Sequence, residues 1–303
     1  MKPYSGIWPV APTAFNEDGT LDLAGSARVL DCMIDQGSDG VCILANYSEQ
    51  FLLSDQERLD LTKMSLEHVA GRVPVIVTIS HFATDIVVAR ARQAREMGAS
   101  IVMMMAPYHG ATLKGTADQT FEQFARVGEV GIPIMLQDAP LSGVDLAVSL
   151  LARMAREIEM LKLFKIESVG TAAKLRVLLA EAGDHIDGPF DGEEGITLMA
   201  DLDAGATGTM TSATITDQIK PVVTHHLAGD RDRALAAYAR VLPAINHENR
   251  QCNFRAAKET MKAGGVIRSA FCRHPIPALP DWAREQLFEL LRPLDPLVLR
   301  WGL

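Results

Sequence analysis

The chain has 303 residues, 48% hydrophobic and 22% charged, which excludes a disordered or fibrous polypeptide and leaves enough length to bury a large core. Its net charge of −9, from 29 basic and 38 acidic residues, comes without a dense Lys/Arg cluster, so neither nucleic acid nor an anionic membrane is the expected partner. Four cysteines (Cys32, Cys42, Cys252 and Cys272) show no CxxC spacing and read as reduced thiols of a cytoplasmic protein, not as a disulfide frame or a zinc site.

The first predicted strand is 6–11 (GIWPVA); no apolar stretch of signal-peptide length precedes it. A helix follows over 22–37, with Leu23, Ala27, Leu30, Met33 and Ile34 at helical spacing and a stop at Gly37. The strand 40–45 (GVCILA) leads to a helix over 54–71 that opens with the capping box Ser54–Glu57. Strands at 73–79, 100–105, 132–137, 161–165, 185–190 and 205–210 then alternate with helices over 83–98, 116–128, 145–157, 170–182 and 193–203. Several strands are apolar throughout, as parallel strands covered on both faces are, and all are far too short to span a membrane. Eight such units predict an α/β protein, a (β/α)8 barrel over 1–212. Strand signals then stop, and helices over 213–229, 231–246, 251–264 and 280–292 make 213–303 the last barrel helix and an all-helical C-terminal extension. No GxGxxG follows the first strand, which argues against a dinucleotide site.

In such a barrel the chemistry sits at the C-terminal ends of the strands. Those positions are Pro12 and Thr13; Asn46, Tyr47, Ser48 and Glu49; Ser80 and His81; Pro107, Tyr108 and His109; Gln137 and Asp138; Lys165; Asp191, Gly192, Glu193 and Glu194; and Thr209, Met210, Thr211 and Ser212. Lys165 ends the apolar strand LKLFK, where partial desolvation frees an amine for imine formation. On periodicity alone a solvated strand-end lysine is the commoner reading. Lys162, at an odd offset, belongs on the opposite, helix-facing side. The turn after the second strand can hold a carboxylate on backbone N–H groups and hydroxyls, or be a plain loop leading to the Ser54 cap. His81 and His109 are candidate acids or bases, although a lone loop histidine is more often structural. Asp191, Glu193 and Glu194 have only His185 close in sequence, so no metal site is expected.

Together these residues resemble the dihydrodipicolinate synthase/N-acetylneuraminate lyase family of Schiff-base (β/α)8 enzymes. The resemblance covers essentially the whole chain: GIWPVAPTAFNEDGTLD, the turn ending in Glu49, VPVIVTI, APY at 106–108, FKIES at 164–168, FDGEEG, GATGTMTS and the helical tail. It implies a 2-oxo acid held as an imine on Lys165, with no other cofactor and no metal. The family's usual GTTGE-like turn is here ANYSE, its second tyrosine after the fourth strand aligns with His109, and its catalytic tyrosine at the end of the fifth strand aligns with Gln137. The arginine that binds the synthases' second substrate is missing from QDAPLSG. The proton relay of the synthases and aldolases is therefore dismantled, and ANYSEQ, QDAPLSG and FDGEEG together look like the dehydratase branch.

The resemblance thus implies a hydro-lyase converting 2-dehydro-3-deoxy-L-arabinonate to 2,5-dioxopentanoate and water in non-phosphorylative pentose catabolism. A 2-keto-3-deoxy sugar-acid aldolase, a 5-dehydro-4-deoxyglucarate dehydratase and a non-catalytic barrel that binds a 2-oxo acid stay open beside it. The strand ends carry no obvious second Arg/Lys pair, which favours a monocarboxylate, with Lys114 and Lys174 as remaining candidates for a second. The expected catalytic residues are Lys165, Glu49, His109, Gln137 and Tyr108, with Glu49 alternatively an anchor of the turn. The expected substrate-binding residues are Asn46, Tyr47, Ser48, His81, Gly192, Glu193, Met210 and Thr211. The family implies a homo-oligomer, a tetramer or a dimer.

Overall fold

The computed structural model describes residues 2–110, 113–139 and 143–303. The chain falls into two compact units. The first is built mainly from Ile76–Glu193 and Thr197–Met210, the second from Gly6–Val75, Glu194–Ile196 and Thr211–Leu303.

In the first unit, aliphatic runs form a parallel ladder in sequence order. The strand Val75–Thr78 pairs with Ile101–Met105, which pairs with Ile134–Asp138, then Leu161–Ile166, Gly188–Asp191 and Gly208–Thr209. Helices Thr84–Glu96, Ala117–Gly128, Val148–Glu157, Thr171–Ala182 and Leu198–Asp203 lie between them. Burial on both faces explains the uninterrupted apolar runs: all five residues of Ile101–Met105 are buried. The helix Ala117–Gly128 starts at a capping box in which Thr116 and Gln119 satisfy each other's backbone N–H groups.

In the second unit, the predicted strand 6–11 shortens to Gly6–Ile7, with Val10 bridging to Cys42 and to Ser212. Pro9 has no N–H to give, so the ladder cannot run unbroken. The strand Val41–Ile43 follows the helix Leu23–Asp35, whose first turn is capped by Asp22 on the Gly25 N–H at 2.8 Å. The helix Asp55–Val69 has its expected capping box, Ser54 with Glu57. The tail supplies helices Thr216–Leu227, Arg231–His247, Arg255–Ala263 and Asp281–Leu291, with a π-turn at Glu248–Cys252. The predicted start at 251 moves to Arg255 because Asn253 takes a left-handed φ of 61°. Cys32, Cys42 and Cys252 are buried, and all four cysteines are free thiols. Burial pushes Cys32 and Cys252 up to about 12 and Cys272 up to about 11.

Two further local features differ from the sequence reading. The predicted strand 185–190 begins as a 3-10 turn, Gly183–His185, and extends only from Gly188 to Asp191. Tyr108–His109 and Leu113–Lys114 form a short antiparallel pair where a plain loop is expected. Among the described residues no helix is long and apolar enough to cross a membrane.

Candidate active site

The first unit gathers a lysine, a carboxylate and an amide. Leu161, Leu163 and Lys165 share one side of their strand, and Lys162 points the other way to Asp187 at 3.8 Å. The same period of two carries past the strand end to Glu167. Its Oε1 lies 2.5 Å from the Lys165 Nζ, and the Gln137 Nε2 donates to it at 2.8 Å. Gln137 is the register partner of Lys165 on the neighbouring strand, with Met105 and Phe190 on either side of the pair. Lys165 and Gln137 are both buried. With Lys165 buried and the Glu167 side chain 10% exposed, little water screens the ammonium from the carboxylate. Gly192 is the cluster's close neighbour: a β-carbon there would lie 2.6 Å from the Glu167 Cγ and 2.8 Å from both the Lys165 Cγ and the Ile166 carbonyl.

The same unit also holds an acidic pair, Asp191 and Asp201. Asp191 is fully buried, receives the Thr209 hydroxyl at 2.5 Å and the Glu193 N–H at 3.3 Å, and faces Asp201. Burial, then the Asp201 carboxyl, pushes Asp191 up to about 8. Thr197 donates to Asp201 at 2.6 Å. Asp191 thus braces the Gly192–Glu193 loop through the Glu193 N–H. Met210, buried, donates its N–H to the Asp191 carbonyl at 3.0 Å. Among the described residues no group of three or more His, Cys, Asp or Glu side chains is placed to hold a metal ion.

The remaining candidates of this unit make other contacts. His81 accepts the Ala83 N–H on its Nδ1 at 3.0 Å, and His109 is exposed with its ring edge-on to Phe82 at 6.2 Å. Tyr108 is half-buried, and burial raises its phenol. Lys174 is engaged by Asp138 at 2.6 Å and Asp145 at 3.4 Å. Of the segment QDAPLSG, Pro140, Leu141 and Ser142 lie outside the described residues.

In the second unit, Asn46–Ser48 forms a single 3-10 turn between two left-handed residues, Leu44 (φ 59°) and Glu49 (φ 58°). Ser48 is buried: its hydroxyl donates to the Ala11 carbonyl at 2.6 Å and accepts the Ala45 N–H at 3.1 Å. Thr13 donates to the Ser48 carbonyl at 2.6 Å, and the Gln50 Nε2 donates to the Asn46 Oδ1 at 2.7 Å. The Ser48 hydroxyl therefore builds the turn, and Asn46 and Tyr47 are its half-exposed side chains. Glu49 is turned inward onto Lys258, which favours the anchoring role over the catalytic one. Thr211 uses its hydroxyl on the Ser212 carbonyl at 2.9 Å.

Glu167 and Lys258 are the residues that the sequence reading passed over. Extending the strand's alternation two residues beyond Lys165 finds Glu167. Nothing local in the sequence finds Lys258, which lies more than two hundred residues from Glu49.

Comparison with known proteins bears on both units. Residues 3–293 match the model of the dihydrodipicolinate synthetase family. The chain is 55% identical over 300 residues to L-2-keto-3-deoxyarabonate dehydratase of Azospirillum brasilense, covering 99% of this chain and 97% of that one. It is 33% identical over 173 residues to a probable 2-dehydro-3-deoxy-D-pentonate aldolase of Escherichia coli, covering 56% and 57% of the two chains. The crystal structure of dihydrodipicolinate synthase from Aquifex aeolicus superposes with a TM-score of 0.90 at 21% identity, covering 97% of this chain and 99% of that chain. The fold is the (β/α)8 class of that family, with C-terminal helices.

Proposed function

The chain belongs to the dihydrodipicolinate synthetase family, and from that premise we propose that it is a Schiff-base hydro-lyase converting 2-dehydro-3-deoxy-L-arabinonate to 2,5-dioxopentanoate and water. The observation that carries this reading is the Lys165–Glu167–Gln137 cluster: a carboxylate at 2.5 Å from the lysine, beside an amide that cannot titrate. The 55% identity to a dehydratase supports the same substrate.

The Lys165 amine, its proton passed to Glu167, attacks the C2 ketone, and Glu167 returns that proton to the carbinolamine hydroxyl as water leaves, which gives an iminium and restores the carboxylate. The iminium draws electrons from C3, and the Glu167 carboxylate removes a C3 proton to form the enamine. Glu167, now a carboxylic acid, returns a proton to the C4 hydroxyl as the enamine expels it, so one residue serves as base and then acid. Gln137 holds Glu167 in place through its amide. Expulsion leaves a C3=C4 double bond conjugated to the iminium. Loss of a C5 proton and gain of one at C3 give the C4–C5 enol, which takes a proton at C4 and releases its hydroxyl proton to become the aldehyde, and water hydrolyses the imine to free Lys165. The substrate carboxylate is assigned to the Asn46–Ser48 turn, as the family resemblance implies.

This reading needs no metal or organic cofactor, since the imine is the electron sink. It places the protein in the cytoplasm as a homo-oligomer, dimer or tetramer, in the pentose-catabolic route that consumes 2-keto-3-deoxy sugar acids. The test is carbon NMR of purified protein with 2-keto-3-deoxy-L-arabinonate. Intact five-carbon 2,5-dioxopentanoate is the expected product, and Lys165→Ala abolishes both turnover and the borohydride-trapped adduct. Pyruvate plus glycolaldehyde would instead mean an aldolase.

A further inference from the structure

Glu49 closes the turn begun at Asn46, and its side chain is only 1% exposed. Its carboxylate forms an ion pair with the ammonium of Lys258, equally buried at 1%, on the helix Arg255–Ala263. Lys258 Nζ also donates to the Phe271 carbonyl at 2.8 Å and lies 4.5 Å from the centroid of the Phe15 ring. The other oxygen of Glu49 accepts the Arg273 N–H at 3.2 Å. The Arg273 guanidinium covers the same Phe15 ring at 4.4 Å, donates to the Leu52 carbonyl at 2.8 Å and pairs with Glu57.

A fully buried ion pair is an expensive way to gain stability, because both ions lose their water. Its well-attested use is to specify one arrangement among several. Glu49 needs such specification, since a non-glycine residue held at φ 58° persists only where its surroundings over-determine it. Two of the side chain's partners, Lys258 and the Arg273 N–H, come from the C-terminal segment. The turn that Glu49 ends is the one assigned above to the substrate carboxylate.

We propose that Lys258 is a positioning residue for 2-oxo acid binding. Through Glu49 it fixes the backbone of the Ala45–Gln50 turn, so the C-terminal helices set the affinity for the substrate carboxylate. This rests on the reading of that turn as the carboxylate site. Glu49 acts through the turn and not on the reacting carbons.

The test uses the full-length protein and two variants. Lys258→Met removes the cation; Glu49→Gln combined with Lys258→Met leaves no unpaired buried charge and keeps the protein folded if the single change does not. Two quantities are read: amide hydrogen exchange of the peptide covering 45–50, and borohydride trapping of the imine across a pyruvate titration. The expected result is faster exchange confined to 45–50. With it, half-saturating pyruvate rises on the order of tenfold, the equivalent of ~1.4 kcal/mol, while the maximal trapped adduct equals that of the parent. Unchanged exchange at 45–50, or an unchanged half-saturation with less adduct, would overturn the assignment. If the parent itself forms no adduct, the Schiff-base reading falls, and exchange at 45–50 alone decides the role of Lys258.

Discussion

A carboxylate 2.5 Å from Lys165, to which the proposed mechanism gives the proton transfers, makes Glu167→Gln the informative single change. The amide keeps the shape and loses the titration. The turnover number is expected to fall by about 10²–10⁴-fold, while borohydride at long incubation still captures the substrate on Lys165, more slowly than in the parent; complete loss of trapping would mean that imine formation itself depends on Glu167. Gly192→Ala tests the geometry of the same cluster from its backbone side. The added methyl must displace Glu167, Lys165 or the Ile166 carbonyl, all within 2.8 Å of its position. Small displacements of reacting groups are amplified in rate, so the change is expected to lower turnover by roughly 10²-fold with a melting curve close to that of the parent.

At the scale of elements, the π-turn Glu248–Cys252 places a carboxyl where a regular helix would not. Glu248 is buried and accepts the Thr214 hydroxyl at 2.8 Å, and Thr214 in turn accepts the Ser212 hydroxyl at 3.1 Å. Burial pushes it up to about 7, from an ordinary value of 4.5. Between those two values the folded chain holds a proton that the unfolded chain releases, so this group makes stability fall as pH rises from about 4.5 to 7 and leaves it level above. Glu248→Gln is expected to flatten that part of the curve by about 3 kcal/mol at most, measured as urea unfolding at pH 5 and pH 8. An unchanged slope would mean that the proton is held elsewhere, with Asp191 the next group to test.

The elements themselves were legible where apolar runs or capping boxes are local: Ile101–Met105 and the Ser54 start of Asp55–Val69 lie where the pattern puts them. Lys165 was legible because strand alternation gives its side. A strand predicted to end at 165 leaves out Glu167, whose N–H still bonds to the Asp138 carbonyl at 2.9 Å. The π-turn and the Glu49–Lys258 pair depend on backbone geometry and on residues distant in sequence, which no local pattern encodes.

For the molecule as a whole, selectivity turns on charge already spent. Of the two candidate partners for a second substrate carboxylate, Lys174 is taken up by Asp138 and Asp145, and Lys114 is exposed on the short strand Leu113–Lys114. The dicarboxylate 5-dehydro-4-deoxyglucarate is therefore expected to react with kcat/KM on the order of 10²-fold below the five-carbon monocarboxylate, checked by competing the two substrates in one vessel; equal rates would sink the monocarboxylate reading. The second unit has a further property: it joins residues 6–75 to residues 211–303. Its last stitches include Trp301 donating to Asp35 at 2.7 Å and the Gly302 N–H meeting the Gly264 carbonyl at 2.8 Å. On the ribosome, which adds about 5–20 residues per second, the first strands and helices of that unit wait roughly 10–45 s for their partners. Throughout that interval the apolar faces of Leu23–Asp35 and Val41–Ile43 lack their final cover, so nascent chains stalled before residue 211 are the form of this protein most in need of a chaperone.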